Sequence, residues 1–125
     1  MNWIKDTVRD FGRSMGLDGL EPNDRGVVCL AFERLGTLFI EQEDDDVLVY
    51  AARGLPPYSG AAWRAALEAC HWTEGLPWPV NAGMRGDDVL VFLARLPGRE
   101  FALPALERTL EMLGKLHDAA AEAAR

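Results

Sequence analysis

Cys70 and His71 stand side by side, and they are the residue types that supply a thiolate nucleophile and its general base. Adjacent helical residues point about 100° apart, so the two side chains diverge, and no CxxC or HxxxH accompanies them to suggest zinc. Ser14 and Ser59 are the only serines, and neither sits in a GxSxG elbow. His117 falls in an apolar helical stripe, where a neutral imidazole hydrogen-bonded within the core is expected instead of a base. Glu41, Glu43, Asp44, Asp45 and Asp46 form an acidic run, but the turn glycine and the later bidentate glutamate of a calcium loop are missing. That run reads as a solvated hairpin tip. Gly83 and Gly86 flank another hairpin and do not build a phosphate loop. The expectation is a protein that is not an enzyme and carries no cofactor and no metal.

The elements around these residues are clearer than any chemistry. The stretch from Gly26 to Ala52 contains three apolar runs, GVVCLAF, TLFIEQ and VLVYAA, separated by turns at Glu33 to Gly36 and Glu43 to Asp46. Their spacing and their β-branched and aromatic content predict a meander of strands. Neither face of it is polar, so both faces are expected to need cover. Before it, Ile4, Val8, Phe11 and Met15 recur at helical spacing over Asn2 to Met15, with Gly16 as the C-terminal cap. Leu17 to Arg25 is a turn-rich connection.

After the meander, RGLPPYSG is a loop, and Ser59 is placed to cap a helix from Ala61 to about Trp72. That helix is apolar over far more than the roughly 100° arc that packing on one sheet requires. Trp63, Leu67 and Cys70 are assigned to the sheet side. Ala61, Ala65, Ala69 and Trp72 are then left as a small-residue stripe with one large anchor, which predicts a dimer interface. Pro77 and Pro79 confine the next segment to an edge strand from about Val80. Arg85 to Asp88 form a turn into the strong strand VLVFLARL. The final helix places Leu103, Leu106, Leu110, Leu113 and Ala120 on its core side, with Glu107, Glu111, Lys115, Asp118 and Glu122 facing water. The fold class is therefore α+β, in the order αβββαββα. A twisted antiparallel sheet of about five strands carries flanking helices, forms dimers, and makes a single domain over residues 1–125.

A formal net charge of −7 and scattered lysines and arginines disfavour nucleic acid and anionic membranes as partners. No apolar run is long enough to span a bilayer, and MNWIKDTVRD lacks the apolar stretch of an export signal. Cys29 in a predicted strand and Cys70 in a predicted helix are expected to be buried, reduced thiols, which fits a cytosolic location. The unassigned apolar surface suits a binding module. An enzymatic or ligand-binding domain would instead need a polar pocket, for which Arg53, His71 and Arg95 are the available residues.

The order of elements, with FGRSMGLDGL after a short helix, an apolar triple strand, an alanine-rich middle helix and a leucine-rich terminal helix, resembles the class I type III secretion chaperones. Within them it is most similar to the SycN-type subunit of the heterodimeric gatekeeper chaperone. The similarity is carried by Trp3 and Ile4, GTLFIEQ at 36–42, ARGL at 52–55, LPWPVNAGMRGDDVLVF at 76–92 and LPALERTLEML at 103–113. The resemblance implies an ATP-independent chaperone of the bacterial cytoplasm. It would bind the N-terminal chaperone-binding segment of a secreted protein, the gatekeeper that regulates secretion, together with a second small class I chaperone subunit. A homodimeric effector chaperone and a structural assembly subunit without a released client are the alternatives. LPWPVNAG stands where the wider family has a glycine-rich segment, which favours a dedicated partner over self-pairing. On this reading Val8, Phe11, Val27, Phe39 and Val49 form the client-binding groove, because an extended client needs apolar grooves and a free sheet edge.

Overall fold

A computed structural model describes residues 2–56, 59–71 and 78–125. The chain begins with helix α1 (Asn2–Ser14), whose Ile4, Val8 and Phe11 lie on one face and are buried. Its end is a Schellman motif. Gly16 takes φ +80°, its N–H donates to the Arg13 carbonyl, and the Leu17 N–H donates to the Gly12 carbonyl at 2.8 Å. A connection then leads into the meander of β1 (Val27–Phe32), β2 (Gly36–Glu43) and β3 (Asp46–Gly54).

Helix α2 (Gly60–His71) follows, with the Ser59 hydroxyl accepting from the Ala62 N–H at 3.3 Å as an N-cap. Strands β4 (Val80–Arg85) and β5 (Val89–Pro97) form a hairpin, and a short 3₁₀ turn at Gly98–Glu100 leads to the long helix α3 (Leu103–Ala123). Pro104 lies in the first turn of α3, where its missing N–H costs nothing. The five antiparallel strands are ordered β1-β2-β3-β5-β4, so β2, β3 and β5 are interior and, among the described residues, β1 and β4 are free edges.

Register decides which residues meet the helices. Glu43 pairs with Asp46 across a two-residue loop in which Asp44 holds φ +54°, a conformation that short polar side chains tolerate. Counting back from that loop, Ile40 pairs with Val49 and Phe39 pairs with Tyr50. One face therefore carries Val28, Leu38, Ile40, Val47, Val49, Ala51, Leu90, Phe92, Ala94 and Leu96, all at most 2% exposed.

All three helices contribute to the core on that face. Ile4, Val8 and Phe11 come from α1, Ala66 from α2, and Leu106, Leu113, Leu116 and Ala120 from α3. Fully burying a side chain of Val, Leu or Phe size stabilises a fold by about 1.5–3 kcal/mol, so this single layer holds most of the chain's apolar stabilisation. Gly36, at φ +99°, starts β2 where a Cβ would collide with the Ala52 carbonyl oxygen of β3.

The expected fold class and element order are those observed. The expected cover on both faces of the meander is not. The three helices gather on one side and leave the other without a layer.

Candidate functional site

The uncovered face is built by the residues that alternate with the core set. From edge to edge, one row reads Cys29, Phe39, Tyr50, Leu93 and Asn81. The neighbouring row reads Val27, Glu41, Leu48 and Arg95, and on the other side Ala31, Thr37, Ala52, Val91 and Gly83. Phe39 and Tyr50 stack with ring centroids 4.9 Å apart and planes inclined by 13°. The Tyr50 hydroxyl donates to Glu41 Oε2 at 3.1 Å; burial, then the Glu41 charge, push this phenol above its ordinary value. Arg85, at the end of β4, extends over Phe39 with its guanidinium carbon 5.9 Å from the ring centroid. Arg95 is clamped by Glu43 at 3.0 Å and Asp46 at 3.2 Å, which ties the β2–β3 tip to β5.

Two of the five residues expected in a client groove, Val27 and Phe39, lie on this face and are partly exposed. The other three are corrected by the structure. Val49 is fully buried because the two-residue loop sets it opposite Ile40 and Ala94 on the helix-covered side. Val8 and Phe11 point from α1 into the same core. The residue that joins Phe39 is Tyr50, which counting from the Asp44–Asp45 loop would have found.

The middle helix also differs from expectation. It lies against α3 and β4 on the covered side and turns Ala62 and Ala66 inward at 0% and 1% exposure. Small side chains allow this close approach between helices, whereas the expectation had put Trp63, Leu67 and Cys70 inward. Trp63, Cys70 and Ala69 are partly buried and pack on the core. Ala61 is exposed and Ala65 half-buried, and Trp72 lies outside the described residues. Leu67 faces water at 46% exposure, and Met84 on the β4 edge is 37% exposed. Between α2 and the β4–β5 turn runs an open groove of about 310 Å³ lined by Ser59, Gly60, Trp63, Met84, Gly86 and Asp87.

The residues that could have done chemistry are spent on structure or stand apart. Arg53 donates to Asp118 at 2.9 Å and faces the helices, while Arg95 is on the opposite face, so the two cannot line one pocket. Burial pushes the Cys70 thiol up, away from the reactive thiolate. Cys29, expected to be buried, is instead exposed, because the β1–β2 register sets it beside Phe39 on the open face. His117 Nε2 lies 2.8 Å from the Ala51 carbonyl oxygen and is buried, as the apolar stripe implied. No group of three His, Cys, Asp or Glu side chains among the described residues is placed to hold a metal ion. No helix among the described residues is long and apolar enough to cross a membrane.

Comparison with known proteins gives the same family by sequence and a shared fold by structure. The family model described as type III secretory system chaperone SycN matches residues 3–121. The chaperone protein SycN of Yersinia enterocolitica is 27% identical over 117 residues, covering 93% of this chain and 94% of that one. Its counterpart in Yersinia pseudotuberculosis serotype I is 28% identical over 123 residues, with 93% and 94% covered. Among solved structures, a chain of the HopA1–SchA chaperone–effector complex superposes with a TM-score of 0.77 at 17% identity, covering 97% of this chain and 94% of that one. A chain of the heterodimeric ExoU–SpcU complex of the Pseudomonas aeruginosa type III secretion system gives 0.68 at 19% identity, with 93% and 96% covered. These likenesses establish a shared fold.

Proposed function

This chain belongs to the SycN family of type III secretory system chaperones, and from that premise we propose that it holds the N-terminal segment of a secreted protein on its open sheet face. The family is one of secretion chaperones and not of enzymes. The observation that carries the proposal is the apolar face around the Phe39–Tyr50 stack, which no helix covers, on a sheet whose other face packs against the helices. A secreted chain must stay locally unfolded, and its apolar segment can be covered without ATP by laying side chains on such a face. The free β1 edge offers backbone groups to an added strand.

The secreted protein on this reading is the gatekeeper of secretion, held in the bacterial cytoplasm by a heterodimer of this chain and a second small chaperone. The outward side of α2 and the β4 edge, with Leu67, Met84 and the groove beside Trp63, supports a site for that second subunit. It adjoins the original α2 stripe but is centred on larger side chains.

The test is native mass spectrometry of the protein, affinity-purified at its natural level from its own cell. The expected species is one copy with a distinct small acidic protein and a larger secreted one. Phe39→Asp is expected to lose the larger component and leave the circular dichroism spectrum unchanged. A bare homodimer would refute the heterodimer, and full retention of the client by the Phe39→Asp protein would refute the open face as its seat.

A further inference from the structure

The charged groups of the open face are not equally provided for. Arg95 has two carboxylates of its own, Glu43 and Asp46. Glu41 accepts the Tyr50 hydroxyl. Arg85 differs: its guanidinium rests over the Phe39 ring, and no carboxylate of the described residues lies within ion-pair distance of it. Asp87 and Asp88, in the turn that follows, do not reach back to it. Between the Arg85 and Phe39 rows lies the row with Ala52 and Gly83, whose small side chains leave the long arginine room to cross the sheet.

In the free protein the guanidinium is exposed and hydrated. A segment that covers Phe39 must either displace Arg85 or bury it. Burying a cation without a counter-charge costs more than the cation–π contact returns. An occupant bearing a carboxylate at that point removes the penalty, because the planar fork of arginine pairs with carboxylate in bidentate fashion.

Resting on the reading of this face as the client seat, we propose that Arg85 is a specificity-determining residue. The segment bound over Phe39 carries an acidic side chain that pairs with Arg85 and is flanked by apolar side chains that cover Phe39, Val91 and Leu93. The chain is thereby selective for apolar segments with an acidic residue at one position, and discriminates against a basic residue there. An aromatic ring that displaces Arg85 without a carboxylate is the competing arrangement, and it predicts no dependence on the charge at that position.

The experiment uses the full chain and three fluorescein-labelled amphipathic probe peptides with alternating apolar residues, identical except for a central Glu, Gln or Lys. Fluorescence anisotropy is expected to give about tenfold tighter binding of the Glu peptide than of the Lys peptide, with the gap narrowing at high salt. Arg85→Gln is expected to level the series and Arg85→Glu to invert it. Phe39→Asp is expected to abolish binding of all three. Equal affinity of the three peptides for the wild-type chain, with loss on Phe39→Asp, overturns the acidic pairing and leaves the open face as the seat. Binding that survives Phe39→Asp overturns the seat itself. Failure of the Glu peptide to bind the wild-type chain overturns the pairing.

Discussion

His117 shows what one side chain does when the helix layer closes over it. Its ring stands edge-on to Phe92, with centroids 4.8 Å apart, and its Nε2 sits 2.8 Å from the Ala51 carbonyl, so the neutral imidazole donates through Nε2–H. Nδ1 has no partner. Burial pushes the pKa down; the Ala51 hydrogen bond opposes this, Arg53 on β3 lowers it further and Asp118 on α3 raises it. The folded-state value therefore lies below the ordinary 6.5. A group depressed in this way contributes stability that is present above 6.5 and is lost as pH falls through the folded value. Thermal melting temperature is expected to be level near neutrality and to drop on mild acidification, with a shallower drop in His117→Gln over the imidazole range. Identical slopes in the two proteins would show that His117 does not titrate with folding. The apolar stripe made this residue legible from sequence, because its neighbours at helical spacing were all core types. Val49 was not legible in the same way: in β3 apolar residues occupy both faces, and only the loop register separates Val49 from Tyr50.

At the scale of elements, α2 is where pattern alone misled. A helix apolar nearly all round does not announce which side is innermost, and packing settled it by size: the alanines at 62 and 66 let α2 approach α3, and the bulkier Leu67 was left outside. Leu67 and Met84 already bury about half their surface or more, so each retains roughly half of the 1.5–3 kcal/mol that full burial of such a side chain contributes. Together they are worth about one to two factors of ten in affinity for a second subunit. Leu67→Glu, or Leu67→Glu with Met84→Lys, is expected to release the small partner in native mass spectrometry while the isolated chain keeps its helix content. An unchanged complex would move the interface away from α2. By contrast α1 and α3 carry narrow stripes with one evident inner side, and their buried faces follow the spacing of Ile4, Val8 and Phe11 and of Leu106, Leu113 and Ala120.

For the whole molecule, the division of labour is between the two sides of one sheet. The helix-covered side supplies the stability, and the opposite side, together with the β1 and β4 edges, is left available. Sequence showed that both sides of the meander are apolar but carried no mark of which would be sealed. The three helices cover one side, and the register set by the β2–β3 loop determines which residues lie there. A further consequence concerns time instead of space. Strands β2, β3 and β5 have a hydrogen-bonded neighbour on each side, whereas β1 and β4 have one each. Amide hydrogens of β2, β3 and β5 are therefore expected to exchange with deuterium only on global unfolding, and those at β1 and β4 to exchange early through local opening. Exchange followed by mass spectrometry would reveal the order directly, and uniform protection across the sheet would contradict it. The lifetime of each strand's order thus runs from centre to rim, so the edges open to a second chain are also those that loosen fastest.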